Sequence, residues 1–446
     1  MHKLIINKLG PVEKCELDCT QFMTFTGFQA SGKSTIAKAI YYFRTIKDDI
    51  LELAKAKALN TISIDGIDND VSCVKLDNSL SLTLENYLRE KFLRTFGSSW
   101  DMAKEMYMEY YFTKTCFIKI SLKNGIKYPT SNYIWVTFSD DLKVFLRQNN
   151  SCLSVTPLGI KEENLRMFKS KLYKMFDDNY SVVYIPAGRS MITLLSQQFS
   201  YIYATMDDMQ KRSLDSCTKD YLERILRLKS EFSEGLQGLA AYSMKKPGLS
   251  KDLIEQALDL IKKILRGTYR CNNGEEQIVL DDGKYVKINF SSSGQQECVW
   301  ILNLLFYYLI RQNRILFIIE EPESHLFPES QKYITELIAL VKNCGHSVVL
   351  TTHSPYVLGT LNNLLYAKTL PDQYSQKANT VIPESLWLDY HSFDSWFVKD
   401  GKIEKCMDSE IHMIQNERID EISKVINDDF EKLLGLQDTD TESVVL

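Results

Sequence analysis

The stretch of sequence that decides the fold is Phe22-Met23-Thr24-Phe25-Thr26-Gly27-Phe28-Gln29-Ala30-Ser31-Gly32-Lys33-Ser34-Thr35. Residues 22–26 predict a strand, and Ile36, Ile40 and Phe43 then share one face of a helix. Between the two, residues 27–34 fit the pattern G-x-x-x-x-G-K-S. A loop in this setting points its backbone N–H groups and the positive end of the helix at a phosphate. The stretch therefore predicts a phosphate-binding loop in an α/β fold.

This loop carries the first set of expected ligand contacts. We expect Lys33 to reach the β- and γ-phosphates and the Ser34 hydroxyl to ligate magnesium, so the implied cofactors are ATP and Mg²⁺. A purely structural loop is the alternative, although glycine is scarce here, at 19 of 446 residues, which makes a chance match less common. The residues expected to bind the nucleotide are Gly27, Gln29, Ala30, Ser31, Gly32, Lys33, Ser34 and Thr35.

Two carboxylates end a second apolar strand. Residues 315–319 read Ile-Leu-Phe-Ile-Ile and run directly into Glu320 and Glu321. Carboxylates at the end of a buried strand are unfavourable unless a cation lies beside them. One of them can hold the water shell of magnesium while the other orients the attacking water. A solvated strand end remains the alternative.

A histidine ends a third strand. Residues 348–352 read Val-Val-Leu-Thr-Thr and lead into His353. Because open α/β sheets bind ligands at the carboxyl ends of their parallel strands, His353 is placed to contact a γ-phosphate. The alternative is a histidine buried in the core.

A polar segment precedes a long apolar helix at about residues 295–310. Ser292, Ser293, Gly294 and Gln295 would give this helix a capped, positive N-terminus that can hold a phosphate. Taken alone, the segment is an ordinary N-cap. Its position about 25 residues before the two carboxylates is what suggests a functional role.

Together, these segments resemble the ATP-binding-cassette (ABC) class of P-loop ATPases. They follow that class's order of P-loop, signature (residues 292–295), Walker B (315–321), D-loop (about 324–327) and switch histidine. Residues 27–35, 320–328 and 352–355 look like the overcoming-lysogenization-defect (OLD) type, the AAA15/AAA21-like relatives of the Rad50 and RecF heads. The motifs cover roughly residues 1–50 and 270–365.

The resemblance implies roles for individual residues. In such families two heads enclose two ATP molecules, so Ser292 and Gly294 would contact the γ-phosphate bound to the other protomer. Glu321 would be the general base or the residue that orients water, and His353 the switch. Lys33 would be the third catalytic residue, and Glu320 would bind the metal together with Ser34. Two positions depart from the pattern: Ser293 stands where glycine is usual, and Glu320 where many relatives have aspartate.

Arg189 follows a short apolar strand at residues 182–185. A nucleotide-edge or trans-acting arginine and a structural ion pair are both open interpretations of it.

The resemblance also divides the chain. We expect a discontinuous ABC-type head at 1–50 and 268–372, an α/β mixed sheet flanked by helices. An inserted α+β arm occupies 51–190, and a helical lid or hairpin 191–267. Residues 373–446 form an α-rich extension, with a helix marked by Ile419, Ile422, Ile426, Phe430 and Leu433, and then a frayed tail.

Composition limits the setting of the protein. There are 53 Lys plus Arg against 58 Asp plus Glu, a net charge of −5, which argues against coating nucleic acid by bulk charge. The longest nearly apolar run, residues 298–310, is too short to span a bilayer. Ten scattered cysteines suit free thiols, and no signal peptide is evident at the N-terminus. We therefore expect a cytoplasmic protein without membrane contact.

The resemblance suggests what the ATPase serves. Full OLD proteins add a Toprim nuclease, but only 93 residues follow His353 and Asp438-Thr439-Asp440 lies in the expected tail, so we expect no nuclease domain here. Standalone heads of this type resemble the ATPases of two-component anti-phage systems, Septu-like with an HNH nuclease or PARIS-like with a Toprim nuclease. The alternative is a RecF- or Rad50-like ATP-gated protein that binds DNA in repair. A transporter subunit fits the motifs less well.

Overall fold

One eleven-stranded sheet organises the chain, of which the computed structural model describes residues 2–60, 79–97, 102–123, 133–149, 153, 155–156, 159–194, 215–243, 250–311, 313–415, 425 and 427–433. The strands are β1 His2–Leu9, β2 Val12–Cys19, β3 Phe22–Gly27, β4 Tyr107–Tyr111, β5 Phe117–Leu122, β6 Ile134–Phe138, β7 Val155–Thr156, β8 Gly159–Ile160, β9 Ser181–Ile185, β10 Thr268–Asn272, β11 Glu275–Val279, β12 Tyr285–Lys287, β13 Ile315–Glu320, β14 Ser347–Thr351, β15 Phe393–Lys399, β16 Lys402–Lys405, β17 Met407–Asp408 and β18 Met413–Ile414.

Helices cover both faces of this sheet. They are α1 Lys33–Arg44, α2 Ile46–Asn60, α3 Leu80–Phe96, α4 Asp140–Gln148, α5 Glu162–Met175, α6 Ser216–Leu228, α7 Gly235–Ser243, α8 Lys251–Leu265, α9 Ser293–Arg311, α10 Pro328–Asn343, α11 Pro355–Thr369 and α12 Asp372–Val381. No helix among the described residues is long and apolar enough to cross a membrane.

The sheet has two halves of different character. Its strand order is β6-β5-β4-β1-β2-β16-β15-β3-β14-β13-β9. From β15 to β9 every neighbouring pair is parallel, and we call this the parallel half. From β6 to β2 every neighbouring pair is antiparallel, and we call this the antiparallel half. The hairpin strand β16 joins the two halves.

Residue patterns explain the two halves. All six residues of β13 are buried: Phe317 and Ile319 face one core, and Leu316 and Ile318 face the other. A strand covered on both faces has an uninterrupted apolar sequence, as parallel strands usually do. In β1, by contrast, Leu4 and Ile6 are buried while their neighbours along the strand are half-exposed. One face of β1 thus packs on the core, in the manner of an antiparallel strand.

Two helical layers complete the cores. One core contains α6 to α11, and the other contains α1 to α5 with the antiparallel strands. The expected fold class, a mixed α/β sheet flanked by helices, is confirmed. Strands β4, β5 and β6, from the expected inserted arm, extend the same sheet.

The region after residue 372 differs from the α-rich extension expected from sequence. Strand β15 lies inside the main sheet, next to the strand that leads into the phosphate-binding loop. Its Phe393, Phe397 and Val398 are buried, which makes this segment part of the core. Residues 427–433 are helical as expected, whereas Ile419, Ile422, Ile426 and the tail lie outside the described residues, as do parts of the expected lid.

Candidate nucleotide site

Strand register brings the three sequence motifs to one edge of the sheet. Thr351 at the end of β14 pairs with Phe25 on one side and with Glu320 on the other. Parallel strands all end in the same direction, so the loops after β3, β13 and β14 begin side by side. This is the edge at which open α/β sheets bind ligands.

Glycine is required at two positions of the loop after β3. Gly27 has φ +138°, and a Cβ there would lie 2.1 Å from the carbonyl oxygen of Val398 in β15. Gly32 has φ +111°, and a Cβ there would lie 2.7 Å from Cγ2 of Val12. The loop is therefore held between β15 and the turn after β1, and its Gln29, Ala30 and Ser34 are exposed.

Lys33 lies folded over its own loop. Its Nζ donates hydrogen bonds to the carbonyl oxygens of Phe28 at 2.7 Å and Gly27 at 3.1 Å. Burial lowers the pKa of Lys33 to about 8, against the opposing effect of Glu321 and Glu323. A bound phosphate would offer the Lys33 ammonium a charged acceptor in place of neutral carbonyls, so that both partners of the hydrogen bond would be ionised.

Glu321 and His353 contact each other across the ends of β13 and β14. Glu321 Oε1 lies 3.3 Å from His353 Nε2, and Ser324 Oγ donates to Oε2 at 3.3 Å. The hydrogen bond from His353 lowers the pKa of Glu321. Both side chains remain about one-third exposed. Glu321 is thus an ionised acceptor with access to solvent, as a residue that orients water must be.

The side chain of Glu320 has an unsatisfied oxygen. Its Oε2 accepts the backbone N–H of Ala187 at 3.3 Å, whereas the buried Oε1, with the Tyr184 hydroxyl nearby, has no hydrogen-bond partner among the described residues. A buried carboxylate oxygen without a donor is unfavourable unless a cation is bound. Glu320 therefore fits a magnesium site, with the exposed Ser34 hydroxyl available at the start of α1. Within the described ranges, no group of three or more His, Cys, Asp or Glu side chains could hold a metal.

Glu323 is a site residue to which sequence reasoning gave no role. Its Oε1 accepts the Thr352 hydroxyl at 2.6 Å and the backbone N–H of His353 at 2.7 Å. Burial raises the pKa of Glu323, and its Oε2 has no hydrogen-bond partner. Glu323 thereby fixes the backbone that carries the switch histidine. The signal was its place in Glu320-Glu321-Pro322-Glu323, inside the motif itself.

The signature segment is an N-cap in this structure. The backbone N–H of Gln295 donates to Ser292 Oγ at 3.3 Å, and Gln295 Oε1 accepts the N–H of Ser292 at 3.1 Å, which is a capping box. A Cβ at Gly294 would lie 2.7 Å from the carbonyl oxygen of His325, so glycine allows the D-loop to pack here. Ser292 and Ser293 are exposed. Contact with a nucleotide bound to another protomer stays a prediction for these residues.

Arg189 is fully buried and pairs with Glu297 of α9. Its guanidinium bonds entirely within the chain, so the structure favours the ion-pair interpretation over a nucleotide-edge or trans-acting arginine.

Comparison with known proteins places most of the chain in one family. Residues 1–358 match the AAA ATPase domain family. The chain is also 31% identical over 94 residues to the cytochrome c biogenesis ATP-binding export protein CcmA of Bartonella quintana (strain Toulouse). That match covers 21% of this chain and 43% of the relative, less than half of its length.

SMC heads are among the solved structures that the chain resembles. The SMC head domain from Thermotoga maritima aligns with 90% of this chain and 97% of its own, at 13% identity and a TM-score of 0.36. The Smc head domain with a coiled coil and joint from Pyrococcus yayanosii aligns with 95% of this chain and 100% of its own, at 11% identity and a TM-score of 0.38. With four-fifths of its length matched by one ATPase family, the chain belongs to the AAA ATPase domain family.

Proposed function

We propose that this protein is a switch that binds and hydrolyses ATP at the carboxyl edge of its parallel half. One observation carries the proposal: Glu321 and His353 meet at 3.3 Å on adjacent strands, at the edge where the Lys33 loop begins. The general chemistry of phosphoryl transfer supports the proposal, since the reaction needs positively charged groups around the phosphate and a group that positions the attacking water.

Each residue has a distinct part in the proposed reaction. Lys33 leaves the carbonyls of Gly27 and Phe28 and donates to the phosphates. Glu321 orients the attacking water and receives its proton, while His353 bridges Glu321 and the transferred phosphate. Glu320 and Ser34 would hold Mg²⁺, which supplies neutralising charge to the phosphates when bound.

The proposal includes self-association. By resemblance to ABC-type heads, Ser292, Ser293, Gly294 and Gln295 would contact ATP held by a second protomer. The exposure of Ser292 and Ser293 at the N-terminus of α9 supports this role, because the positive end of a helix favours an anion.

Substitution of Glu321 tests the ATPase assignment. Glu321→Gln should retain ATP binding, hydrolyse ATP at least about 100-fold more slowly and accumulate a nucleotide-bridged assembly, because the amide cannot take a proton from water. Lys33→Ala should lose nucleotide binding. Turnover assays and light scattering with ATP measure both effects. Glu329→Gln, at an exposed position of α10, is the matched control and should leave ATP turnover and assembly unchanged. Unaltered turnover in Glu321→Gln would remove this residue from the mechanism.

The biological role we propose is regulatory. The motif set resembles the ATPases of two-component anti-phage systems, so the switch would control a separate nuclease of HNH or Toprim type. Co-purification with the proteins encoded beside it tests this: a nuclease that dissociates when ATP is hydrolysed is expected. Recovery without a nuclease, together with ATP-dependent DNA binding that falls steeply with salt, would instead support a RecF- or Rad50-like role.

A further inference from the structure

A fully buried ion pair joins the signature helix to the strand that ends in the catalytic carboxylates. Arg189 Nη2 lies 3.1 Å from Glu297 Oε1, and the two side chains are 0% and 1% exposed. Arg189 follows β9, while Glu297 lies in the second turn of α9. These residues are 108 positions apart in sequence and meet only through the fold.

The rest of the guanidinium holds backbone carbonyls at the catalytic edge. Nη1 donates to the carbonyl oxygens of Glu320 at 2.5 Å and Pro186 at 2.7 Å, and Nη2 donates to that of Glu321 at 2.9 Å. Nε donates to the carbonyl oxygen of Glu297 at 3.1 Å. One side chain therefore fixes the backbone of both Walker B carboxylates and of α9.

The carboxylate of Glu297 secures the other side of the contact. Its oxygens accept the backbone N–H groups of Arg189 at 2.9 Å and Ser190 at 2.6 Å. Nearby, Ala187 donates to Glu320 Oε2 at 3.3 Å. The segment after β9 is thus bonded both to α9 and to the metal-binding carboxylate.

The backbone at Glu321 needs such support. Glu321 has φ +42°, a left-handed conformation that a non-glycine residue rarely adopts. Such a residue persists only where its surroundings hold it, at a cost of about 1–3 kcal/mol. Here Arg189 holds its carbonyl, and its own N–H donates to the Thr351 carbonyl at 2.9 Å. The direction of the Glu321 side chain depends on both bonds.

We propose that Arg189 and Glu297 are positioning residues that couple the signature end of α9 to the orientation of Glu321. A movement of α9 when its N-terminus meets a nucleotide would pass through this ion pair to the backbone of Glu320 and Glu321. The inference rests on the proposed ATPase function and adds to it a route between the two nucleotide-contacting surfaces of one protomer.

Arg189→Lys, compared with Arg224→Lys, tests the coupling. Arg224 is a partly buried arginine of α6 that donates to Tyr308 Oη at 2.7 Å and to the carbonyl of Val182 in β9, and it pairs with Asp220. At either position, the single ammonium group of lysine cannot make all the hydrogen bonds that the planar guanidinium group donates. We expect both variants to melt at lower temperatures than wild type, Arg189→Lys by the larger amount because its side chain is fully buried. Only Arg189→Lys should lower kcat for ATP, by at least about ten-fold with KM within about two-fold, because misplacement of a catalytic group reduces rate more than binding.

A second variant keeps the test decisive if Arg189→Lys does not fold. Glu297→Gln retains the shape and one acceptor oxygen, and it should lower kcat by about three- to ten-fold with KM unchanged. The double variant should be no slower than Arg189→Lys, since both residues act through one contact. A kcat within two-fold of wild type in the folded variants, or an equal loss in Arg224→Lys, would overturn the coupling. A wild-type chain without ATP turnover would instead refute the ATPase function on which it rests.

Discussion

The two halves of the sheet each bury an arginine beside a carboxylate, with different consequences. Beside the strands of the antiparallel half, near Cys19 and Tyr110, Arg44 Nε lies 2.7 Å from Asp178 Oδ2, and Lys47 Nζ lies 2.8 Å from the same oxygen. In the parallel half, Arg189 pairs with Glu297, and its guanidinium also donates hydrogen bonds to the carbonyl oxygens of Glu320 and Glu321 at the candidate nucleotide site. The Arg44–Asp178 cluster links α1 and α2 to the segment before β9. The Arg189–Glu297 pair instead contacts the candidate nucleotide site.

The difference shows that burial and charge alone do not mark a functional group. Burial by itself would raise the pKa of Asp178, but Arg44 and Lys47 together lower it to about 2. Asp178 is thus a satisfied structural ion. Arg189 is equally buried, yet its partners include the backbone of two candidate catalytic residues. What a buried charge does depends on what its hydrogen bonds hold in place.

A glycine substitution in the parallel half should have the largest effect. Gly27→Ala would set a Cβ 2.1 Å from the Val398 carbonyl and drive β15 away from β3. We expect loss of ATP binding and destabilisation by more than about 5 kcal/mol, because the clash is with backbone atoms and is relieved only by breaking the pairing of β15 with β3. Gly97→Ala, at the end of α3, is the control: φ is +83°, and among the described residues its Cβ would meet nothing within 4 Å. It should cost only about 1–3 kcal/mol of backbone strain. Thermal melting and titration with a fluorescent ATP analogue distinguish Gly27→Ala from Gly97→Ala. Equal losses of stability in the two variants would contradict the expected steric clash at Gly27.

Removal of the carboxylate from the antiparallel cluster should reduce stability without changing the chemistry. Asp178→Ala leaves Arg44 and Lys47 buried without a counter-ion, which should cost about 3–5 kcal/mol. The KM and kcat of the folded fraction should match wild type. Asp259→Ala breaks an exposed pair with Lys263 on α8 and should cost at most about 1 kcal/mol. Urea unfolding and ATPase kinetics on the same samples give both quantities; a lower kcat at full folding would extend the catalytic role to this half.

The smallest expected effect is a pH dependence of stability. Burial lowers the pKa of His346 to about 4, and its Nδ1 accepts the N–H of Ile315 at 3.3 Å. The unfolded chain binds a proton near pH 6.5 while the folded chain does not, so stability falls as pH drops from 7 to 5. This residue should account for about 2 kcal/mol of that loss.

His346→Asn supplies the measurement for this prediction. Asparagine offers an acceptor oxygen in place of Nδ1 and does not titrate, so the variant should lose less stability than wild type between pH 7 and 5. His391→Asn, at an exposed position, should behave as wild type. Urea unfolding midpoints at pH 7 and pH 5 test this prediction. An equal loss of stability between the two pH values in wild type and His346→Asn would contradict the role given to His346.

Sequence reasoning located most of the parallel half because its signals are local. The strand before Gly27, the strand before Glu320 and the strand before His353 are continuous apolar runs that end in polar residues. It did not find β15, because the adjacent polar residues Asp394 and Ser395 interrupt the apolar residues of this strand, and the segment resembles an ordinary loop until it pairs with β3. Glu323 was visible in its motif, but its hydrogen bonds to Thr352 and His353 depend on how two loops approach each other.

The sequence by itself determined the phosphate-binding loop, the paired carboxylates, the histidine and the order in which they occur. Their chemistry requires particular residue types at short spacings, and such local motifs can be recognised in the sequence without knowledge of the tertiary structure. Only the tertiary structure decided that Val398 closes over Gly27, and that Arg189 and Glu297 meet beneath Glu321. Those contacts join residues more than 100 positions apart, and their geometry is fixed by strand register and helix packing rather than by any local pattern.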